Sequence, residues 1–212
     1  MIEPFALMST EEVFRQIIDK QRIVIAGSEG GPLVASIIQH VLGTYKKPFD
    51  SFENGDLKQQ PGAALALIVA PETIGNGNPI PDFRKFHHHI GVICNIKHKP
   101  DNGFASEDEF IRQYDLFADA TPKGGLLAYC EQDRIASVLC NKERTDVAYL
   151  PFKAHPHVVE GGKTFLISSN KEKLPVTISG NHALQYVGGA KEVLKKIGVS
   201  SEQFYHAIVS FA

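Results

Sequence analysis

Residues 20–42 read KQRIVIAGSEGGPLVASIIQHVL, and they decide the fold class. Residues 22–26 are rich in β-branched side chains and too few to form a helix core, so they predict a buried strand. This strand runs into the glycine-rich sequence GSEGG. From Pro32 onward apolar residues recur at helical spacing, and proline is well tolerated at the first position of a helix. The stretch therefore predicts a strand, a tight loop and a helix in succession.

Three further apolar runs predict strands of the same sheet, at residues 63–70, 90–95 and 126–130. Strands that are apolar on both faces are typical of a parallel sheet covered by helices on each side. Residues 106–120 combine a capping-box pattern with aromatic side chains on one face, which predicts a helix. Residues 131–140 predict another. The alternation indicates an α/β fold with a doubly wound, mostly parallel sheet of P-loop-like topology.

After residue 144 the pattern changes to short β runs, in which Gly161 and Gly162 predict a hairpin turn. Two helix patterns then follow. We expect one domain over residues 1–212, made of a connector helix at 1–20, an α/β core at 21–144, a small antiparallel β appendage at 145–179 and closing helices at 180–212. A long exposed loop rich in glycine and proline is expected at residues 71–81.

Composition narrows the functional class. The chain has 212 residues, of which 43% are hydrophobic and 22% charged, and its formal net charge is -2. Because the lysine and arginine residues are scattered rather than gathered in a stripe, nucleic acid is not expected as a partner. No apolar run approaches the ~20 residues of a bilayer span, so no membrane association is expected. The three cysteines lie far apart, which suits reduced thiols and a cytoplasmic location.

The glycine-rich loop is the first candidate site. A glycine-rich turn between a strand and a helix directs backbone N–H groups at one point, where the helix dipole adds positive potential and favours anions. The residues of this candidate anion nest are Gly27, Ser28, Glu29, Gly30 and Gly31. An ATP-binding loop also needs GxxxxGK[ST], whose lysine contacts the phosphates and whose hydroxyl holds magnesium. The other interpretation is a plain strand-to-helix turn, and the sequence leaves both open.

The loop and its neighbourhood resemble the corresponding strand, loop and helix of the Mur ligases, whose loop reads GT-x-GKTT. Three residues match that motif: Gly27, Ser28 and Gly30. Gly31 and Pro32 stand at its lysine and threonine positions. The resemblance therefore fails at the two residues that contact phosphate and magnesium.

Two further stretches carry the same resemblance. Residues 110–133, FIRQYDLFADATPKGGLLAYCEQD, are similar to a segment of the UDP-N-acetylmuramate tripeptide ligase branch, which serves murein peptide recycling. Residues 174–199, LPVTISGNHALQYVGGAKEVLKKIGV, are similar to the family's closing segment, usually written G-x-HN-x-x-N before an alanine-rich helix. The resemblance implies the central, ATPase-type domain of that family. We expect the domains that flank it in the ligases to be lacking.

The same resemblance implies that the magnesium site is lost. The family places a metal-binding acid after the second predicted strand, and Ala70 stands there, with Glu72 the nearest acid along the sequence APET. The family then places an Asp-His pair after the third predicted strand. Lys99 and Pro100 occupy that pair, and His98 is one residue out of register.

The resemblance also implies that some residues that contact the nucleotide are retained. His182 survives from the closing motif, whereas Ala183 and Tyr186 replace its two asparagines, and Asp133 keeps a ribose-facing position. His182 and Asp133 are therefore the predicted nucleotide-facing residues. The consecutive histidines at 87–89 point in different directions on a helix or a strand, so they make a poor metal site.

Because all of these losses point one way, we expect a non-catalytic, Mur-ligase-like binding or interaction protein of bacterial origin. No catalytic residue, metal or cofactor is expected. The expected partner is an unidentified protein or a small anionic ligand, and self-association is the third option. The alternative is an ATP-dependent UDP-N-acetylmuramate peptide ligase fragment, which would need ATP and magnesium and would use Glu72 and His98.

Overall fold

The computed structural model of the protein describes residues 8–27, 29–72, 74 and 80–211, so part of the predicted loop at 71–81 lies outside it. Its helices and strands follow one another in this order: α1 (Thr10–Ile17), β1 (Gln21–Ala26), α2 (Gly31–Thr44), β2 (Asp50–Glu53), β3 (Asp56–Lys58), β4 (Leu65–Val69), α3 (Asp82–Lys85), β5 (Ile90–Ile93), α4 (Glu107–Asp119), β6 (Leu126–Cys130), α5 (Arg134–Cys140), β7 (Ala148–Phe152), β8 (His157–Glu160), β9 (Lys163–Ile167), β10 (Lys173–Val176), α6 (Asn181–Lys196) and α7 (Ser201–Ile208). Within those ranges, no helix has both the length and the apolar composition needed to cross a bilayer.

Seven strands form the main sheet, in the order β3-β2-β4-β1-β5-β6-β7. Six of them are parallel, and β3 runs antiparallel to β2 at one edge. The four strands expected from apolar runs are consecutive in this sheet, as β4-β1-β5-β6. The predicted doubly wound, mostly parallel sheet is confirmed.

Helices cover both faces of the main sheet. Along β1, Ile23 and Ile25 face a core shared with α2, α6 and α7, whereas Val24 faces a core shared with α1, α3 and α4. All three side chains are buried. Successive side chains of a strand point to opposite faces, so both faces of β1 must be apolar. This requirement explains the continuous apolar run that predicted the strand.

A second sheet has three antiparallel strands, in the order β10-β9-β8. Gly161 and Gly162 join β8 to β9 with φ values of 56° and 74°, as predicted. The appendage begins at His157 rather than at residue 145, because β7 pairs in parallel with β6 and belongs to the main sheet. Pro151 lies in β7, and proline is tolerated on such an edge strand. β7 is apolar along its length, but only Phe152 of its five residues is buried, which is typical of a strand at the edge of the sheet.

Arg22 is buried at the amino end of β1 and binds the helix ends that meet there. Its guanidinium donates to the carbonyl oxygens of Ile18 at 2.7 Å, Lys20 at 3.0 Å and Phe86 at 3.0 Å. Ile18 and Phe86 are the C-caps of α1 and α3, where a cation complements the helix dipole. The backbone N–H of Arg22 donates to Nδ1 of His89 at 3.0 Å. Arg22 therefore fixes two helix ends and His89 to the central strand.

Candidate functional site

The candidate site lies at the carboxyl ends of the central strands, beside the first turns of α2 and α6. The chain leaves β1 through α2 toward β2 and β4 on one side, whereas β5 lies on the other side of β1. Such a reversal of strand order leaves a crevice in which ligands bind in open α/β sheets. Across this crevice the backbone N–H of Glu29 donates to Oδ1 of Asn95 at 2.8 Å. The loop after β1 is therefore fixed to the segment after β5.

The loop backbone adopts conformations that suit glycine. Gly27 has a φ of 144° and Gly30 a φ of 82°, values that are costly for residues with a Cβ. A Cβ built on Gly27 would lie 2.8 Å from Cβ of Cys94, so the loop packs on the end of β5. Gly30 is the N-cap of α2 without a side-chain cap, and Pro32 lacks an N–H. Ser28, which was predicted to belong to the nest, lies outside the described residues.

The ring of Tyr186 lies against this loop. A Cβ built on Gly30 would be 2.2 Å from Cζ of Tyr186, so the ring occupies the space beside the start of α2. Burial, together with nearby Cys94 and Glu29, raises the pKa of Tyr186 to about 12, so its hydroxyl is neutral at physiological pH. From the sequence, position 186 was interpreted only as the site of a replaced asparagine. The replacement of a short amide by a bulky aromatic side chain was the feature of the sequence that could have indicated this contact.

Glu29 and Lys97 are the charged pair nearest the loop. Their Oε1 and Nζ atoms lie 3.6 Å apart, and both side chains are about half exposed or more. Such a pair contributes little to stability. Gly31 begins α2 and is buried, and a Cβ built on it would make ordinary contacts, at 3.6 Å from Ile25 and 3.8 Å from Val69. The position at which the family has lysine is therefore able to hold a side chain.

Asp133, predicted to face a ribose, is bound by backbone groups. Its Oδ1 accepts from the N–H of Ala136 at 2.8 Å, and its Oδ2 accepts from the N–H of Ile96 at 2.9 Å. It is the N-cap of α5, and through Ile96 it also holds the segment after β5. Asp133 therefore has a structural role in the site, and its contact with a nucleotide stays a prediction.

Replacing Asp133 by alanine is expected to lower the free energy of unfolding by about 2 kcal/mol, because one helix loses its cap and one buried N–H loses its acceptor. Urea unfolding measures the change. Asp56→Ala is the control, since Asp56 pairs with Lys58 at 3.6 Å on an exposed edge and should change stability by less than about 0.5 kcal/mol. Equal effects of the two substitutions would contradict the structural role.

The remaining predicted positions are spread around the crevice. His182 lies in the first turn of α6 with its side chain exposed, and Ala70 is buried after β4. Pro100–Asn102 forms a 3-10 turn, and the ring of His98 packs 5.6 Å from that of Phe110. In the part of the chain that the structure describes, no three His, Cys, Asp or Glu side chains are arranged to hold a metal. The expected absence of a metal stays a prediction.

The three consecutive histidines occupy different environments, as expected from their spacing. His87 is exposed, with a φ of 46°. His88 is buried beside Oγ1 of Thr121, at 2.9 Å from Nε2, and burial lowers its pKa to about 3. Nδ1 of His89 accepts from the backbone of Arg22. The three rings therefore do not converge on one point.

Comparison with known proteins shows which solved structures share this fold. No family model matches the chain, and no characterised protein matches it in sequence. A solved structure of UDP-N-acetylmuramate:L-alanyl-gamma-D-glutamyl-meso-diaminopimelate ligase (MPL) from Neisseria meningitides has a TM-score of 0.77 at 14% identity, over 96% of this chain and 68% of that chain. MurF from Acinetobacter baumannii has a TM-score of 0.72 at 14% identity, over 96% of this chain.

A variant of FPGS from L. casei is also similar, with a TM-score of 0.69 at 11% identity over 100% of this chain and 70% of that chain. The chain spans 48% of the length of MurF. At such identities the similarity concerns the fold. With its seven-stranded, mostly parallel sheet and its separate three-stranded sheet, the chain has the α/β fold of Mur ligase central domains.

Proposed function

We propose that this protein is a non-catalytic relative of the Mur ligases, of the MPL branch, and acts by binding a partner rather than by transferring phosphate. The observation that carries the proposal is the contact of Tyr186 with Gly30. The ring lies at the start of α2, where a phosphate would approach the helix N-terminus. Gly31 and Pro32 follow in place of the lysine and threonine that the resemblance implies. In the described part of the loop, the ring therefore restricts the approach of a phosphate, and the two side chains that would contact it are absent.

Electrostatics support the same proposal. Phosphoryl transfer depends almost entirely on positioning and on stabilising charge around the transferred group. In this loop Glu29 adds a carboxylate, its own N–H is bound by Asn95, and Pro32 has none to offer. Because the carboxylate of Glu29 also offsets the charge of Lys97, a triphosphate would meet little net positive charge and few donors. We expect neither ATP nor magnesium to be a cofactor.

The alternative function is that of a peptide ligase fragment that uses ATP and magnesium. The observation in its favour is the placement of Glu72 and His98, which follow β4 and β5, the two strands that flank β1. Both side chains are half-buried at the same edge of the sheet as the loop. Under either proposal we place the protein in a bacterial cytoplasm, with an unidentified protein or a small anion as partner of the non-catalytic form.

Thermal unfolding with ATP and magnesium distinguishes the two functions. Ligand at a hundredfold excess over Kd stabilises the native state by about 2.7 kcal/mol, which for a chain of this size raises Tm by roughly 5 to 10 °C. For this protein we expect ATP with magnesium to raise Tm by less than about 1 °C, because the ring of Tyr186 covers the loop. Phosphate release should equal that of a blank without protein.

A Mur ligase assayed in parallel provides the positive control. A shift of several degrees, or phosphate release above the blank, would favour the ligase alternative. In that case Glu72→Ala and His98→Ala should each abolish the effect of magnesium. Retention of the effect in both variants would exclude these residues as metal ligands.

A further inference from the structure

A cavity of about 660 Å³ lies at the amino ends of the parallel strands, whereas the loop lies at their carboxyl ends. The amino ends of β1, β5, β6 and β7 form its floor, and the ends of α1 and α6 form its walls. Ile18, which is 58% exposed, gives it apolar surface, whereas Ile90 and Leu126 lie almost buried beneath it. The volume is within the range of small-molecule sites, which combine apolar walls with a few polar groups.

His89 supplies a hydrogen-bond donor to this cavity. Its Nδ1 accepts from the backbone N–H of Arg22 at 3.0 Å, and a backbone amide always donates, so the proton of the neutral ring is on Nε2. Burial and the positive charge of Arg22 lower the pKa of His89, which keeps the ring neutral at physiological pH. Among the residues that the structure describes, Nε2–H has no acceptor, and His89 lines the cavity.

Two ammonium groups face the same cavity from different elements. Lys123 lies in the turn before β6 and Lys196 in the last turn of α6, and neither forms an ion pair within the described ranges. The third lysine of the lining, Lys20, is bound to Asp50 at 2.5 Å. Asp19 is the one carboxylate of the described lining. The cavity therefore has two uncommitted cations against one anion.

We propose that this cavity binds a small organic acid with an apolar body, whose carboxylate is held by Lys123, Lys196 and Nε2–H of His89. Nearby Asp146 does not compete for these groups, because Arg144 holds its two carboxylate oxygens at 3.0 and 2.9 Å. The apolar surface of Ile18 and the cationic rim together favour an amphiphilic acid over inorganic phosphate or an amine. This proposal is independent of the proposed non-catalytic function, because the loop lies at the carboxyl ends of the strands and the cavity at their amino ends.

Amide-resolved NMR titration of the full chain with 4-phenylbutyrate tests the proposal. We expect saturable shifts at His89, Gly124 and Gly125, and a downfield shift of Hε2 of His89 as it bonds the carboxylate. Inorganic phosphate and 4-phenylbutylamine should bind at least about tenfold more weakly, since each lacks one of the two recognised features. Phosphate or amine binding as tight as that of the acid would overturn the proposed ligand class.

Matched charge variants locate the site. Lys123→Gln with Lys196→Gln should raise Kd about tenfold, whereas Lys163→Gln with Lys195→Gln, which removes the same charge elsewhere, should change it less than about twofold. Asp19→Asn should tighten binding. Ala148→Trp, which fills the cavity without changing charge, should abolish the shifts. Equal Kd values for the two lysine pairs, or absence of saturable shifts at the cavity amides of the parent protein, would refute the proposal.

Discussion

Replacing Gly188 by alanine is expected to lower the free energy of unfolding by about 3 kcal/mol, and Tm by roughly 6 to 12 °C. Gly188 is buried in the middle of α6, and a Cβ there would lie 2.0 Å from the carbonyl oxygen of Lys153. That oxygen belongs to the backbone, so no side-chain rotation relieves the contact. The same segment is held to α6 by the N–H of His155, which donates to the carbonyl of Leu184 at 2.9 Å. The helix must therefore move away from the sheet.

Gly43→Ala is the matched control for this prediction. Gly43 is also helical, near the end of α2, but a Cβ there has no heavy atom within 4 Å. Alanine restricts the unfolded chain and favours the helix, so we expect a gain of about 0.5 kcal/mol. Differential scanning calorimetry of both variants measures the opposite signs. A stabilising effect of Gly188→Ala would show that α6 and the end of β7 are not in close contact.

The predictable part of the fold was the part buried on both faces. Residues 23–26 and 126–130 are apolar throughout because helices cover each side of β1 and β6, and this pattern can be recognised without knowing which helices pack there. β2 and β3 are short and mostly polar, so they were missed, and β7, whose apolar run contains Pro151, was assigned to the appendage. Asn54 and Gly55 form a two-residue turn with φ values of 52° and 80°, and an Asn-Gly dipeptide between two short strands is a recognised signal for such a hairpin.

The site was less predictable, because its geometry depends on residues distant in sequence. The sequence resemblance alone places Gly31 and Pro32 where the Mur ligase motif has lysine and threonine. Contact between Tyr186 and Gly30 requires the position of α6 over the loop, and the bond from Glu29 to Asn95 requires that β1 and β5 be neighbours. The motif therefore identifies the positions that differ from the Mur ligase loop, whereas the packing shows which residues contact the loop.

Tyr186→Ala is expected to lower the free energy of unfolding by about 3 kcal/mol, because a ring that is 6% exposed leaves a cavity against Gly30. Tyr186→Phe keeps the ring and should change stability by less than about 1 kcal/mol. Chemical unfolding of the two variants separates the ring from its hydroxyl. Similar losses for both would show that the hydroxyl, and not the packing of the ring, stabilises the loop.

The same substitution tests how the loop is closed. From sequence alone, Gly31→Lys with Pro32→Thr is expected to gain weak phosphate affinity, since it restores an ammonium group and a hydroxyl at the start of α2. The ring of Tyr186 changes that expectation, because it occupies the space beside Gly30.

The variants are compared at one pyrophosphate concentration, a hundredfold above the Kd of the triple variant that also carries Tyr186→Ala. Only the triple variant should then show a rise in Tm of roughly 5 to 10 °C. The loop pair alone and Tyr186→Ala alone should each shift by less than about 2 °C, because each retains one of the two obstacles. If the loop pair responds as strongly as the triple variant, Tyr186 does not close the loop, and the residues at positions 31 and 32 alone decide whether the loop binds phosphate.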